Sequence, residues 1–311
     1  MENKILGLHH ITAIADKAKR NLDFYTKVLG LRLLKKTVNF DDPGTYHLYY
    51  GDEKGSAGTI LTFFPYEGAR RGLPGTGMIT EIGYTVPAGS FAFWLNRFAE
   101  NGVSYQQPAE RFGEKYIAFQ DPDGLQFALI ASATPDTRVP WETPEVKAEV
   151  ATRGFHSATL TLRNSQATAA ILTEIFDYKL QAQEGNRQRY ATDVVEQAGI
   201  IDLVDAPDQI RGMGGAGTNH HIAFRVKNEE VLMHFRDKIA RRGLNITHKI
   251  DRNYFYSLYF REPGGVLFEI ATDNPGFGID ESWEELGSGL LLPPQYEPRR
   301  AEIEEVLPKL D

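Results

Sequence analysis

The pentapeptides Leu8-His9-His10-Ile11-Thr12 and Asn219-His220-His221-Ile222-Ala223 put doubled histidines at the heads of two distant apolar runs, and a third run, Leu267-Phe268-Glu269-Ile270, carries a carboxylate. Two imidazoles and one carboxylate make a ligand set that grips a divalent ion and leaves coordination positions open for chemistry. Cysteine is absent from the 311 residues, which excludes a disulfide framework, a thiolate metal site and a cysteine nucleophile. Any metal must be held by His, Asp or Glu. His47, His234 and His248 stand alone in the sequence and read as structural.

Strand geometry constrains the neighbours of these residues. Successive side chains on a strand point to opposite faces, so His9 and His10 share a cavity only if the strand bulges, and the same holds for His220 and His221. The first histidine of each pair therefore either pins adjoining structure or reaches a substrate from the cavity edge. Thr12, two residues after His10, should share its face. Phe255, Ser257 and Tyr259 alternate along one strand, which brings Tyr259 toward the same cavity, and its hydroxyl needs a partner if buried. Arg252 stands just ahead of that strand and is either a surface ion-pair partner or a cavity cation.

The elements that carry these residues repeat four times, each copy reading strand, helix, strands. Copy one begins at Leu8, places Leu22, Tyr25, Val28 and Leu29 at helical spacing, ends the helix at Gly30, and continues as strands over 31–38, 45–51 and 58–64. Copy two starts at Ile79, with Phe91, Trp94, Leu95 and Phe98 on one helix face and Gly102 as the stop; its last hairpin turns at Asp121-Pro122-Asp123-Gly124. Copy three opens at Phe155-His156, presents Ile171, Leu172, Ile175 and Phe176, and closes over 200–204. Copy four opens at His220-His221, presents Val231, Leu232, Phe235 and Ile239 before Gly243, and turns at Glu262-Pro263-Gly264-Gly265. The proline-containing stretch 134–154 reads as a linker. The expected organisation is an N-terminal half over 1–133 with copies one and two, the linker, a C-terminal half over 155–273 with copies three and four, and a tail over 274–311 ending in a short acidic helix near 302–307.

Four βαβββ units with histidine on the first strand and glutamate on the last resemble the vicinal oxygen chelate superfamily of glyoxalases, fosfomycin-resistance enzymes and type I extradiol dioxygenases, over residues 5 to 273. The resemblance implies an α+β fold in which modules pair into two domains with curled mixed β-sheets. The doubled histidines, Arg252 and Tyr259 ahead of Glu269, and the tail from Leu290-Leu291-Leu292-Pro293-Pro294 to Leu307-Pro308 are more closely similar to the hydroquinone ring-cleaving dioxygenases. That likeness implies Fe(II) held by His10, His221 and Glu269, with Zn, Mn or Ni as possible substituting metals, and outer-shell roles for His9, Thr12, His220, Arg252 and Tyr259. It implies O2 and a small aromatic diol as substrates.

Alignment of the copies leaves a rival ligand. His156 opens copy three as His10 opens copy one, so the triad is either His10, His221 and Glu269, with copies one and four paired, or His156, His221 and Glu269, with copies three and four paired. Sequence order favours His156, whereas the doubled histidine and the closer family pattern favour His10. Copy two has Glu81 against His221 and Ala128 against Glu269, so a second metal is not expected there. The functional alternatives are a glyoxalase-like isomerase or lyase, which needs a further carboxylate as base, and a non-enzymatic ligand-binding protein. A formal net charge of −8 argues against nucleic-acid and anionic-membrane partners. With no signal-like N-terminus and no run of about 18 apolar residues, a cytoplasmic protein is expected, and a homo-oligomer is compatible with its sheet edges.

Overall fold

The structure, a computed structural model, describes residues 3–132 and 134–310. Met1, Glu2, Ala133 and Asp311, which the ranges above include, lie outside the described residues.

Module one consists of β1 (Leu8–Ala15), α1 (Ala18–Asp23, prolonged by a π-helical turn over Phe24–Val28), β2 (Arg32–Asn39), β3 (Asp42–Gly51) and β4 (Ile60–Pro65). Module two consists of β5 (Met78–Thr85), α2 (Phe91–Glu100), β6 (Ala109–Arg111), β7 (Glu114–Gln120) and β8 (Gln126–Ala131). Module three consists of β9 (Phe155–Leu162), α3 (Gln166–Ala170, prolonged by a π-helical turn over Ile171–Ile175), β10 (Lys179–Glu184), β11 (Arg187–Ala191) and β12 (Ile200–Asp205). Module four consists of β13 (Thr218–Val226), α4 (Glu229–Arg241), β14 (Ile250–Asp251), β15 (Phe255–Arg261) and β16 (Leu267–Pro275). The tail ends in α5 (Arg300–Val306).

Helix ends follow the expected chemistry. Gly30, Gly102 and Gly243 all take positive φ after their helices, and in module three the same conformation falls on Asp177. The Asn228 side chain accepts from the Val231 amide to cap α4, with Glu229 and Glu230 in its first turn and Lys238 and Arg241 in its last.

The sixteen strands form two curled mixed sheets of eight. The first has the order β14-β15-β16-β13-β1-β4-β3-β2 and the second β10-β11-β12-β9-β5-β8-β7-β6. Within a module the first strand runs parallel to a later one, as β1 to β4 and β13 to β16, so the intervening helix is a crossover lying on the sheet. Between modules the seams are antiparallel, β1 against β13 and β5 against β9. The sheets therefore do not follow the halves of the chain: one joins modules one and four, the other modules two and three.

Helices and turns tie each half together. The Arg97 guanidinium of α2 donates to Val28 O at 2.7 Å, at the end of the first helix, and the Lys238 ammonium of α4 donates to Ile175 O at 2.7 Å, at the end of the third. In the turn of module two, Asp121 accepts from the amides of Asp123 and Leu125 and from Tyr25 of α1's π-helical turn. In module four Glu262 accepts from the amides of Gly264 and Val266 and from Thr168 of α3. The main core fills the space between the sheets. Tyr25 lies against Phe63 of one sheet and Phe127 of the other, and Phe176 against Phe224 and Phe268.

The stretch 134–154 is anchored. Arg138 donates to Gly58 O and Phe155 O, and Val146 is fully buried beside Gly30. The tail clasps the first sheet, with Lys35 buried against Asp280 and Glu281 and Tyr296 donating to Phe40 O.

Candidate metal centre and its cavity

Register along the β1/β13 seam explains the doubled histidines. Leu8 stands opposite Phe224 and His10 opposite Ala223, so His9 is an extra residue on β1; Thr12 stands opposite His221 and Ala13 opposite Asn219, so His220 is an extra residue on β13. Both first histidines are bulge residues, which is how two adjacent side chains come to lie side by side rather than on opposite faces.

The second histidines meet Glu269, whose strand β16 is paired to β13. His10 Nε2 lies 3.2 Å and His221 Nε2 2.9 Å from Glu269 Oε2, and the two Nε2 atoms are 3.3 Å apart. All three residues are buried, and among the described residues they are the one group of His, Asp or Glu side chains whose ligand atoms converge, all within 4.8 Å. Glu269 Oε1 accepts from the Ser257 hydroxyl, whereas the buried Oε2 has no polar partner among the described residues besides the two imidazole nitrogens. Burial pushes the Glu269 carboxyl up, but the His10 and His221 imidazoles outweigh it and hold the group well below the usual carboxylate range. A buried carboxylate oxygen whose only polar neighbours are two imidazole nitrogens fits a divalent cation that all three could share.

The outer nitrogens are fixed by the bulge residues. If His10 and His221 ligate through Nε2, each carries its hydrogen on Nδ1 and donates it, His10 to His9 Nδ1 at 2.9 Å and His221 to His220 Nδ1 at 2.7 Å. His9 and His220 must then be neutral. Burial, reinforced by His10, lowers His9 to about 3, and His220, though exposed at its outer edge, is also held below its ordinary value by its packed surroundings and by His221. His9 packs on Phe255 at 5.1 Å between ring centroids, behind the cavity wall that Phe255 forms. His220 lines the cavity and is exposed as well. The two bulge residues thus divide the sequence alternatives: His9 pins, and His220 reaches.

The cavity measures about 440 Å3 and is walled by module one on one side and module four on the other. Thr12 shares the His10 face, and both line it. Tyr259 stands opposite Glu269 in the β15/β16 ladder, with its ring 5.7 Å from that of His221. Burial raises its hydroxyl above the ordinary tyrosine value, so it is a protonated group. Arg252 lies over the Tyr259 ring at 5.3 Å and its Nε donates to the Tyr259 hydroxyl at 3.3 Å, with Asp41 at the mouth 3.5 Å from the guanidinium. Arg252 is a cavity cation with an ion-pair partner, so both sequence readings describe it in part.

His47 differs from its reading as a purely structural residue. It lines the cavity with Tyr49, two residues along β3, and both side chains face inward. The alternation of His47 and Tyr49 was the available signal.

The rival triad does not assemble. Along β5/β9, Glu81 stands opposite Thr159 one step after Ile79 meets Leu160, and Tyr84 meets Phe155 one step after Gly83 meets Ser157, so Thr80 and His156 are the bulge residues of the second sheet. His156 therefore corresponds to His9, and Ser157 takes the place of His10. His156 bonds Ser157 Oγ at 3.0 Å and Glu114 at 3.2 Å, in the other sheet from His221 and Glu269. The remaining ligand places hold Glu81 and Ala128, and arginines pair with the acids of this face: Arg111 with Glu81 at 2.8 Å, and Arg189 with both Glu114 and Asp202, beside a cavity of about 420 Å3 that Glu114, His156 and Arg189 line.

A curled sheet of paired βαβββ modules with a buried ligand set on its inner face defines a class of metal-dependent proteins. The chain belongs to the Glyoxalase/Bleomycin resistance protein/Dioxygenase superfamily, whose model matches residues 7–129 and 154–270. Among individual proteins it is 47% identical over 307 residues to MhqO of Bacillus subtilis strain 168, named as a candidate ring-cleaving dioxygenase, covering 99% of this chain and 97% of that one. It is 38% identical over 311 residues to a chlorohydroquinone/hydroquinone 1,2-dioxygenase of Sphingobium indicum, covering 97% and 96%. The crystal structure of a candidate dioxygenase from Bacillus subtilis superposes with a TM-score of 0.95 at 46% identity, covering 99% of this chain and 98% of that one.

Proposed function

We propose that the protein is an Fe(II)-dependent ring-cleaving dioxygenase of the extradiol type, acting on hydroquinone or a related aromatic diol, with the metal held by His10, His221 and Glu269. The observation that carries this reading is the buried Glu269 Oε2, within 3.2 Å of two imidazole nitrogens and with no other polar partner. Relatives named as hydroquinone and ring-cleaving dioxygenases along nearly their whole length supply the substrate class. What Fe(II) supplies when bound is Lewis acidity toward a phenol oxygen and electron exchange with O2.

The chain's own residues do the rest. The walls bury an aromatic ring between Phe64 and Tyr49 of module one and Phe255 and Tyr259 of module four, and a cavity of about 440 Å3 suits one substituted ring. Arg252 offers fixed positive charge to a phenolate or to the anion that develops as the ring opens. Because the Tyr259 hydroxyl accepts from Arg252, its own hydrogen is available to an oxygen in the cavity, which makes it a proton donor. His220, with Nδ1 engaged by His221, presents Nε2 at the cavity edge as a second group able to hold a proton. His9 orients His10.

A glyoxalase-like isomerase is less well supported. Besides the ligand Glu269 it requires a carboxylate base, and the acid among the described lining residues is Asp41, exposed at the mouth and paired with Arg252. The test is anaerobic loading with Fe(II) followed by oxygen-electrode assays with hydroquinone, methylhydroquinone and catechol. Iron-dependent oxygen uptake with a ring-opened product is expected. Absence of uptake with every diol, together with Zn- or Ni-dependent turnover of a thiol adduct, would overturn the reading.

A further inference from the structure

A line of hydrogen-bonding groups crosses the cavity floor beneath the site. Thr12 of β1 bonds Thr62 of β4 at 2.8 Å between hydroxyl oxygens, Thr62 bonds His47 Nε2 at 2.9 Å, and His47 Nδ1 bonds the Tyr49 hydroxyl of β3 at 2.9 Å. The register makes this possible: Thr12 and Thr62 are directly opposed in β1/β4, and Thr62 and Tyr49 in β3/β4. Thr12 and Thr62 are fully buried and Tyr49 is 1% exposed, whereas His47 is partly exposed but has both ring nitrogens engaged within the chain. Both ends, Thr12 and Tyr49, line the cavity, and Thr62 does not.

Counting hydrogens fixes what the chain can present. Each of the three hydroxyls carries one hydrogen, and so does a neutral imidazole, while only three contacts join the four groups. One hydrogen is left over, and it must emerge at one end. Burial holds His47 well below its ordinary value, in keeping with the neutral ring that this count requires. Of the two polarities, one has the phenol donating to imidazole nitrogen and the imidazole N–H donating to an alcohol. The other has an alcohol donating to the imidazole and the imidazole donating to a phenol oxygen. A phenol is the stronger donor and a weaker acceptor than an alcohol, so the first polarity prevails, and the surplus hydrogen sits on Thr12.

We infer that Thr62, His47 and Tyr49 form a positioning chain that fixes Thr12 as a hydrogen-bond donor toward the substrate oxygen held beside His10. Thr12 alone could rotate its hydroxyl hydrogen toward Thr62 and offer the substrate a lone pair. The chain forbids this, because Thr62 already spends its hydrogen on Thr12 and receives one from His47. At the far end the Tyr49 oxygen keeps its lone pairs for a hydroxyl that donates. The floor is thus complementary to a diol that has lost one proton, with the ionised oxygen at Thr12 and the intact hydroxyl toward Tyr49.

The inference rests on the ring-cleaving reading for its substrate, and two measurements keep the two apart. The first is the tautomer of His47 by nitrogen-15 NMR in metal-free protein at neutral pH, which needs neither activity nor a variant. The hydrogen is expected on Nε2; finding it on Nδ1 overturns the polarity. The second is steady-state kinetics of the Fe(II)-loaded Thr62→Val variant, which breaks the chain at a residue that does not touch the cavity. Its kcat should fall about tenfold with KM changed by less than about twofold, because a donor misdirected away from developing charge is felt in the transition state. Thr62→Ser should restore kcat, and His47→Gln, which keeps one donor and one acceptor, should lose less than His47→Phe. An unchanged kcat in Thr62→Val, or a loss in Thr62→Ser as large as in Thr62→Val, overturns the inference. Wild-type protein that consumes no oxygen with any diol defeats the ring-cleaving reading and leaves the tautomer measurement to decide the chain.

Discussion

His9 and His220 stand beside the proposed ligands His10 and His221 and bear on which nitrogen each presents. With His10 and His221 ligating through Nε2, His9 and His220 each accept from the Nδ1 of the following histidine and so turn that ring's Nε2 toward Glu269. Losing such a support typically lowers metal affinity by about 10- to 100-fold. His9→Phe, which keeps the packing on Phe255 and removes the acceptor, should show a loss of that size in competition titrations with a chelator; unaltered affinity would place His9 in the packing alone. Tyr259→Phe should lower kcat about 100-fold with little change in metal content, as removal of a positioned proton donor does. The proposed ligands His10, His221 and Glu269, whose side chains the fold brings together, could be picked out in the sequence because ligand types recurred at equivalent points of repeated units. The bulges could not, since a bulge is defined by the partner strand: nothing local to Phe155-His156-Ser157 says that His156 corresponds to His9 and not His10. His47 was hidden for a related reason, because its partner Thr62 is on another strand.

At the scale of elements, the two sheets share one plan and differ in what fills the concave face. The first sets its cavity against the proposed ligands, whereas the second lines a cavity of about 420 Å3 with an ion-pair network in which Arg111, Arg187 and Arg189 meet Glu81, Glu114 and Asp202. Burial tends to raise the Glu114 carboxyl, but His156 and Arg189 together bring it down to about 2 from 4.5. A depressed carboxyl contributes stability that is present above its unfolded value and is lost as pH falls through the folded one. Glu114→Gln should therefore cost roughly 3 kcal/mol at pH 7, with the gap to wild type narrowing as pH drops from 4.5 toward 2. Urea unfolding at several pH values measures this, and a gap independent of pH would mean that the charge is not what Glu114 contributes. The same network explains why β10 and β11 escaped a reading of apolar alternation. Arg189 occupies a buried position, and Gln and Glu populate the hairpin, so its inward face is not apolar.

For the whole molecule, the modules and their helices were legible from periodicity and turn residues, whereas their pairing was a choice between two registers of the same repeats. The fold settles it by joining modules one and four, whose histidines are 211 positions apart, while Arg97 and Lys238 keep consecutive modules tied through their helices. The candidate centre thus draws on both halves of the chain, and the second sheet serves as the platform that holds them together. The most direct test compares His10→Ala with His156→Ala after anaerobic Fe(II) loading, by bound iron per chain. His156→Ala should retain about one iron, as wild type does, and His10→Ala should retain almost none. Iron kept by His10→Ala and lost from His156→Ala would contradict the account.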